Sequence, residues 1–501
     1  MTKKLLVPLL FVFLIQLNSC ERDTTTPDNL PQDTDTNIPT KQRDKTFNNN
    51  KLDNFFGVAA AYTPTATGLL QQVGVSWART SISWNEIEPT QGNYNWTALD
   101  ALVLSNNAQG IRTLLMLRNT PPWAAITTPY DFITHGISKQ SPPNAPSPQH
   151  WFVTPIVDIT TGFPNTYRVD KKSLSGVLIE SLTLTTSDLR MRDVSLWVNF
   201  VHTLVARYSV APYNCKYIQL MNEHRPEAQF PCDNVTNVAK YWFVPAAQDI
   251  HNSFPDVKVM NCWPTNVRDE EIEAFDNVPG VLENLDIYAQ HYGDILRWQK
   301  VFNTYAAKGK PNMAFWATEY GSTSTTENSW KISHSYPSIL SQCLQHQWST
   351  PDKFKLFWYP FSSNTNPPEG LFANATIVTN HGKQVSTIYS LLYGNTLENF
   401  SDYTATPDPN ISDYISGFET DRGYVLAVGL FNWKPANDQI LLTLPNLQKS
   451  QIKYLRCVDA YGKIIERPAI ETNGNGISFK INTSLLPEAG MEMIYIEIQK
   501  F

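Results

Sequence analysis

From Phe55 to about residue 395 the chain repeats one pattern, a short apolar run followed by a longer segment with helical periodicity. This alternation constrains the fold more than any other feature, because strands linked through helices pair in parallel. Eight runs read as strands: FFGVAA, VSWARTSI, IRTLLMLR, YIQLMNE, VKVMNCW, LDIYAQHY, MAFWATEYG and FKLFWYPF. TGLLQQVG reads as a helix, and TALDALVLSNNAQG as an amphipathic helix ending at Gly110, a residue suited to a C-cap. In DVSLWVNFVHTLVARYS, the residues Val194, Trp197, Val198, Val201, Leu204, Val205 and Tyr208 recur on one helical face. QVSTIYSLLYGN reads as a final helix. Eight strands with intervening helices predict an α/β fold, a (β/α)8 TIM barrel over residues 51–395. It exceeds the typical ~250 residues because of loop insertions. The largest, residues 124–190, contains SPPNAPSPQHW and reads as a long irregular loop. Such loops inside a compact domain are usually functional.

Beyond residue 395 the helices stop. GYVLAVGLFNW, DQILLTLPNL, IKYLRCVDAYGKII, GISFKIN and MEMIYIEIQ are strand-like runs separated by Gly, Asn, Asp and Pro. Strands with no helix between them predict a small all-β sandwich over residues 396–501. It shows no catalytic cluster and is expected to cover the flank of the barrel, with glycan binding as the alternative.

The first fifty residues do not belong to either body. Lys3 and Lys4 precede the apolar run LLVPLLFVFLIQL, which is too short for a comfortable membrane span. With Leu17-Asn18-Ser19-Cys20 following, residues 1–20 resemble a bacterial lipoprotein signal, and the resemblance implies that Cys20 carries the lipid. The plainer alternative is an ordinary secretory signal with an incidental Cys20. Residues 21–50 are rich in Asp, Thr, Asn and Pro and cannot offset the entropy of ordering, so they read as a flexible tether. Its r.m.s. reach is roughly 30 Å. The expected location is the cell envelope, lipid-anchored at the outer membrane, with the membrane as a partner through the anchor alone.

A net charge of −7 with no dense Lys/Arg block argues against a nucleic-acid partner. The cysteines after Cys20 are Cys215, Cys232, Cys262, Cys343 and Cys457. Their odd number and wide spacing give neither a disulfide framework nor a metal-ligand pattern, and they read mainly as small buried hydrophobes. Oligomeric state is not legible.

In barrels of this kind the active site lies at the C-terminal ends of the strands. The polar residues placed there are Arg79, Asn222, Glu223, His291, Tyr292 and Glu319, with Trp358 ending the eighth run. Paired carboxylates are the equipment for glycosidic bond cleavage. No Ser-His-Asp order, phosphate loop or zinc spacing competes with them.

NEHRP after the fourth run and TEYG after the seventh resemble the retaining glycoside hydrolases of clan A. The Arg of the second run, the pattern W..IEP..G.Y.W and the later TP.W are similar to families 5 and 39 of that clan. The resemblance covers the barrel, about residues 52–395, and extends loosely to the C-terminal sandwich. It implies a carbohydrate substrate and no metal or organic cofactor. Residue by residue, it gives Glu223 the acid/base role and Glu319 the nucleophile role. Asn222 would bind the sugar 2-hydroxyl, and Arg79 would lie against Glu319 and keep it ionised. Tyr292 or His291 would orient the nucleophile or hold the sugar, and Trp358 would floor the subsite of the attacked sugar. Glu223 must start protonated and Glu319 ionised. The reading is a retaining hydrolase of polysaccharide or oligosaccharide, endo-acting. Two alternatives are a non-catalytic glycan-binding lipoprotein on the same barrel and a transglycosylase using the same intermediate.

Overall fold

The computed structural model describes residues 55–59, 70, 73–124, 149–157, 164–173, 177–185, 194–223, 235–292, 295–321, 336–345, 353–359, 362–363, 370–373, 377–392, 397–407, 415–429, 439–485 and 493–501. Its strands up to the last helix are β1 (Phe56–Ala59), β2 (Trp77–Ser83), β3 (Arg112–Arg118), β4 (Gln149–Val157), β5 (Pro164–Ser173) and β6 (Leu178–Thr185). They continue with β7 (Tyr217–Gln219), β8 (Lys258–Met260), β9 (Ile287–His291), β10 (Ala314–Tyr320) and β11 (Phe354–Trp358). Three two-residue strands that follow play no part below. Eight of these strands close a barrel in the order β1-β2-β3-β7-β8-β9-β10-β11, with β11 pairing back onto β1. All its pairings are parallel.

The strands are apolar on both faces because both are covered. Trp77, Leu114, Met260, Ile287, Ala289, Trp316 and Phe357 fill the barrel interior. There the Lys355 ammonium lies 4.5 Å from the Trp77 ring centre and 5.3 Å from that of Trp316. Val58, Leu115, Ile218, Val259, Tyr288, Phe315 and Leu356 face the other way, into the layer between sheet and helices. The period of two is plain along β11: Phe354, Leu356 and Trp358 join the outer layer, whereas Phe357 joins the inner one.

The helix Thr97–Ala108 ends just before Gly110, whose φ of 68° is the left-handed conformation a helix end favours. The helix Val194–Tyr208 buries Trp197, Phe200, Val201, Leu204, Val205 and Tyr208 against the barrel. Phe200 thus joins the expected stripe, while Val194 and Val198 remain half-buried. The last barrel helix, Asn380–Leu392, begins earlier than its apolar run. Of TGLLQQVG, only Leu70, Val73 and Gly74 fall among the described residues.

Residues 124–190 are not irregular throughout, which corrects the sequence reading. β4, β5 and β6 form a three-stranded antiparallel sheet in that order. Pro155 within β4 argues against a strand by its missing donor, yet β4 is an edge strand, where proline is tolerated. The segment SPPNAPSPQ lies outside the described residues up to Pro148.

After the barrel, a six-stranded and a four-stranded sheet form the C-terminal sandwich. Ile440, Leu442, Phe479 and Ile481 of the smaller sheet meet Leu426, Val428, Ile494 and Ile496 of the larger one in a shared core. Alternate residues of the larger sheet, Val425, Ala427, Met493 and Tyr495, belong instead to the core cluster around the barrel. Arg422 ties the two bodies by donating to the carbonyls of Ser390 and Leu391 at 2.9 Å each. Cys215, Cys262, Cys343 and Cys457 are buried free thiols, and Cys232 lies outside the described residues.

Candidate active site

Parallel strands deliver their C-terminal ends to one face, so residues far apart in sequence arrive together there. Arg79 on β2 is at the centre of the arrangement. Its Nη1 donates to Glu319 Oε1 at 2.7 Å, its Nη2 to Asn222 Oδ1 at 2.5 Å, and its Nε to Gln219 Oε1 at 2.7 Å. One rigid, always-charged fork thereby fixes two groups from β7 and its end and one from β10. Because a guanidinium can only donate, the amide orientations of Asn222 and Gln219 follow. Asn222 is left with its NH2 end as the donor for other partners.

His291, at the end of β9, is the second centre. Its Nδ1 lies 3.0 Å from Glu223 Oε1 and 3.5 Å from Glu319 Oε2. Its Nε2 lies 3.1 Å from the sulfur of Cys262. Burial opposes the charged imidazole, but the Cys262 sulfur and the Glu319 and Glu223 carboxylates outweigh it and push the ring up to about 10. Both carboxylates keep some side-chain exposure, 28% for Glu223 and 16% for Glu319, whereas His291 and Arg79 retain 1% and 3%. The carboxylates are the reachable groups, and Arg79 and His291 sit beneath them.

Local backbone geometry helps aim these groups. Glu223 has φ of 48° and Tyr292 φ of 51°, left-handed conformations that cost non-glycine residues about 1–3 kcal/mol each. In β10 the pairing with β9 shifts between Ala317 and Glu319. This irregularity lets the adjacent residues Thr318 and Glu319 both meet interior partners, Gln219 for the former and Arg79 for the latter. An unbroken strand would turn one of them outward.

The Tyr292 backbone N–H donates to the Glu319 carbonyl at 2.8 Å. Burial first, then the Glu319 charge, raises its phenol above the ordinary value. The structure thus gathers Arg79, Asn222, Glu223, His291, Tyr292 and Glu319. Trp358 is not among them. It is buried in the outer layer, its ring 5.9 Å from that of Tyr336 and 6.4 Å from that of His381. Its neighbour Tyr359 packs on the inner cluster instead. Cys20 lies outside the described residues.

Gln219, Cys262 and Thr318 were not singled out from sequence. Gln219 carried a usable signal, being a polar residue inside an otherwise apolar strand run. Cys262 and Thr318 carried none. Among the described residues, no group of three or more His, Cys, Asp or Glu side chains is placed to hold a metal ion.

A parallel barrel with two reachable glutamates at its C-terminal mouth, backed by an arginine and a histidine, offers the groups that glycosidic bond cleavage uses. Residues 59–300 match the family model Glyco_hydro_42, described as Beta-galactosidase. No curated protein matches the chain. Among solved structures, the chain resembles a GH30 endoxylanase from Clostridium papyrosolvens C71 at 12% identity and a TM-score of 0.51. That likeness covers 89% of this chain and 95% of that one. A family 39 glycoside hydrolase from the gut symbiont Bacteroides cellulosilyticus WH2 matches at 13% identity and a TM-score of 0.52, over 89% and 81% of the two chains. A family 30 subfamily 8 xylanase, Xyn30A, from Clostridium acetobutylicum matches at 13% identity and a TM-score of 0.50, over 89% and 96%. At such identities these likenesses concern the fold. Residues 59–300 thus match a glycoside hydrolase family, and the chain shares the fold of clan A glycoside hydrolases.

Proposed function

We propose that the protein hydrolyses glycosidic bonds of a polysaccharide or oligosaccharide by double displacement, with Glu319 as nucleophile and Glu223 as acid/base. The observation that carries this reading is the contact of both carboxylates with one imidazole nitrogen, at 3.0 Å and 3.5 Å. Their nearest oxygens can be no farther apart than those two contacts laid end to end. That limit only reaches the lower edge of the ~6.5–9.5 Å separation an inverting pair needs to admit a water. Any bend at the nitrogen brings the pair toward the ~5–5.5 Å of a nucleophile and its acid.

In this reading Glu319 attacks the anomeric carbon while Glu223 protonates the departing oxygen. Glu223, then a carboxylate, takes a proton from water, and the water displaces Glu319. Arg79 holds Glu319 Oε1 in place, and the amide N–H of Asn222 holds the sugar 2-hydroxyl, a contact that strengthens as the ring gains oxocarbenium character. Action is endo, on chains too large to import. The test is a glycan panel that includes xylan and β-galactans, with NMR of the first-formed anomer. The expected product retains configuration. An inverted first product would remove Glu319 as nucleophile, and binding of glycans without hydrolysis would favour a non-catalytic receptor.

We also propose that Cys20 carries a lipid that anchors the protein in the cell envelope. Expression with a radiolabelled fatty acid should label the native chain and leave Cys20→Ala unlabelled. Equal labelling of both chains would sink the anchor.

A further inference from the structure

Behind the two carboxylates runs a set of hydrogen bonds that hydrolysis does not itself require. Gln219, with its Oε1 occupied by Arg79, directs its Nε2 at Thr318 Oγ1, 3.3 Å away. Thr318 Oγ1 in turn lies 3.9 Å from the Cys262 sulfur, and that sulfur 3.1 Å from His291 Nε2. All four residues are fully or almost fully buried. The sense of the chain follows from its first member. Arg79 can only donate, so Gln219 donates onward to the Thr318 oxygen, which leaves the Thr318 hydroxyl hydrogen for the sulfur. The thiol hydrogen then points to His291 Nε2.

We propose that Cys262 is a positioning residue that keeps the proton of His291 on Nδ1, the atom shared by Glu223 and Glu319. This deepens the hydrolase reading above and rests on it for its kinetic consequence. When the ring is neutral, the S–H group fills Nε2 and only Nδ1 can carry the proton. When the ring is a cation, the sulfur accepts from Nε2–H, and Nδ1–H persists. The state it excludes is the neutral tautomer with hydrogen on Nε2, which would turn a lone pair toward two carboxylates. A thiol can donate or accept, so it serves both charge states. Both Glu223 and Glu319 change charge during double displacement, and a shared Nδ1–H follows whichever of them is the anion.

The groups that bear on the ring's ionisation are Cys262, Glu319 and Glu223, with Tyr292 and Arg79 coupled to the same carboxylates. Cys262→Ala removes the Nε2 partner, and Cys262→Ser restores a hydroxyl able to donate or accept. Selective 15N labelling of the histidine rings, with the His291 signals assigned by their loss in His291→Gln, reads the tautomer without any substrate. Measured above the pH at which the ring loses its second proton, the native chain and Cys262→Ser are expected to show only Nδ1 protonated. Cys262→Ala is expected to show protonation moved wholly or partly to Nε2. On a cleaved glycan, kcat/KM of Cys262→Ala should fall about tenfold, the cost of one ordinary hydrogen bond, with KM nearly unchanged. Its alkaline limb should move to lower pH, because the sulfur no longer helps hold the cation. Cys262→Ser should stay within about twofold of the native rate. Persistence of Nδ1–H in folded Cys262→Ala, or a serine variant as slow as the alanine one, would overturn the proposal. Failure of the native chain to cleave any glycan would sink the hydrolase reading instead, and the tautomer measurement would still decide this one.

Discussion

Glu319→Ala should lose about four to six orders of magnitude in kcat, the range typical of removing a catalytic nucleophile. In the double-displacement reading the side chain supplies the bond that traps the sugar, and no neighbour can substitute for it. Glu223 is aimed by its own strained backbone and His291 from a different position in the cleft. Sodium azide should restore part of the rate in Glu319→Ala, because a small anion fits the vacated carboxylate position. The product should be a glycosyl azide of inverted configuration, since a single displacement has replaced two. Glu223→Ala should behave differently. Hydrolysis of aryl glycosides with good leaving groups should suffer least, because those need little protonation, and azide should yield a product of retained configuration. NMR of the two azide adducts checks both assignments together. Adducts of the opposite configurations would exchange the roles of Glu223 and Glu319. Equal rates in native and Glu319→Ala protein would remove that residue from the chemistry.

Arg79→Lys should be nearly as damaging as a loss of charge, although the charge is kept. The guanidinium bonds Gln219, Asn222 and Glu319 through three different nitrogens. An ammonium is a single point charge on a flexible stem and cannot reproduce that fork. Whichever acceptor it keeps, others lose their guanidinium partner, the fully buried Gln219 among the groups at risk, so stability should fall by about 2 kcal/mol, read from urea midpoints. The kinetic loss should be larger, about two to three orders of magnitude in kcat/KM, because Asn222 and Glu319 would both lose their orientation. A lysine variant with native midpoint and native rate would show that Arg79 contributes only its charge.

The architecture was legible because helices and strands have different periods, and eight alternations leave few closed solutions. The glutamates were legible because a carboxylate ending an apolar strand run stands out. Trp358 shows where that legibility stops. FKLFWYPF is apolar on both faces, as befits a buried parallel strand, so nothing in it says which residues point inward. Pairing with β1 and β10 places Phe357 inside and Trp358 outside. A one-residue difference in register would have reversed them. The irregularity in β10 is invisible in the same way, since its residues AFWATEY include no glycine or proline to mark it. The sheet of β4 to β6 was hidden by its proline and by the proline-rich run before it. Partners such as Cys262 are harder still to see, because their roles depend on the residue across the barrel.

The bonds around the mouth close on themselves, from Arg79 through Gln219, Thr318, Cys262 and His291 to Glu319 and back to Arg79. A closed loop of donors and acceptors has no loose end from which change can begin. Replacing one member disturbs the two beside it, so second substitutions should have effects that depend strongly on the first. Lineages descending from this protein should therefore exchange these six residues together or leave them fixed. New specificities should accumulate instead in the loops that rise above them.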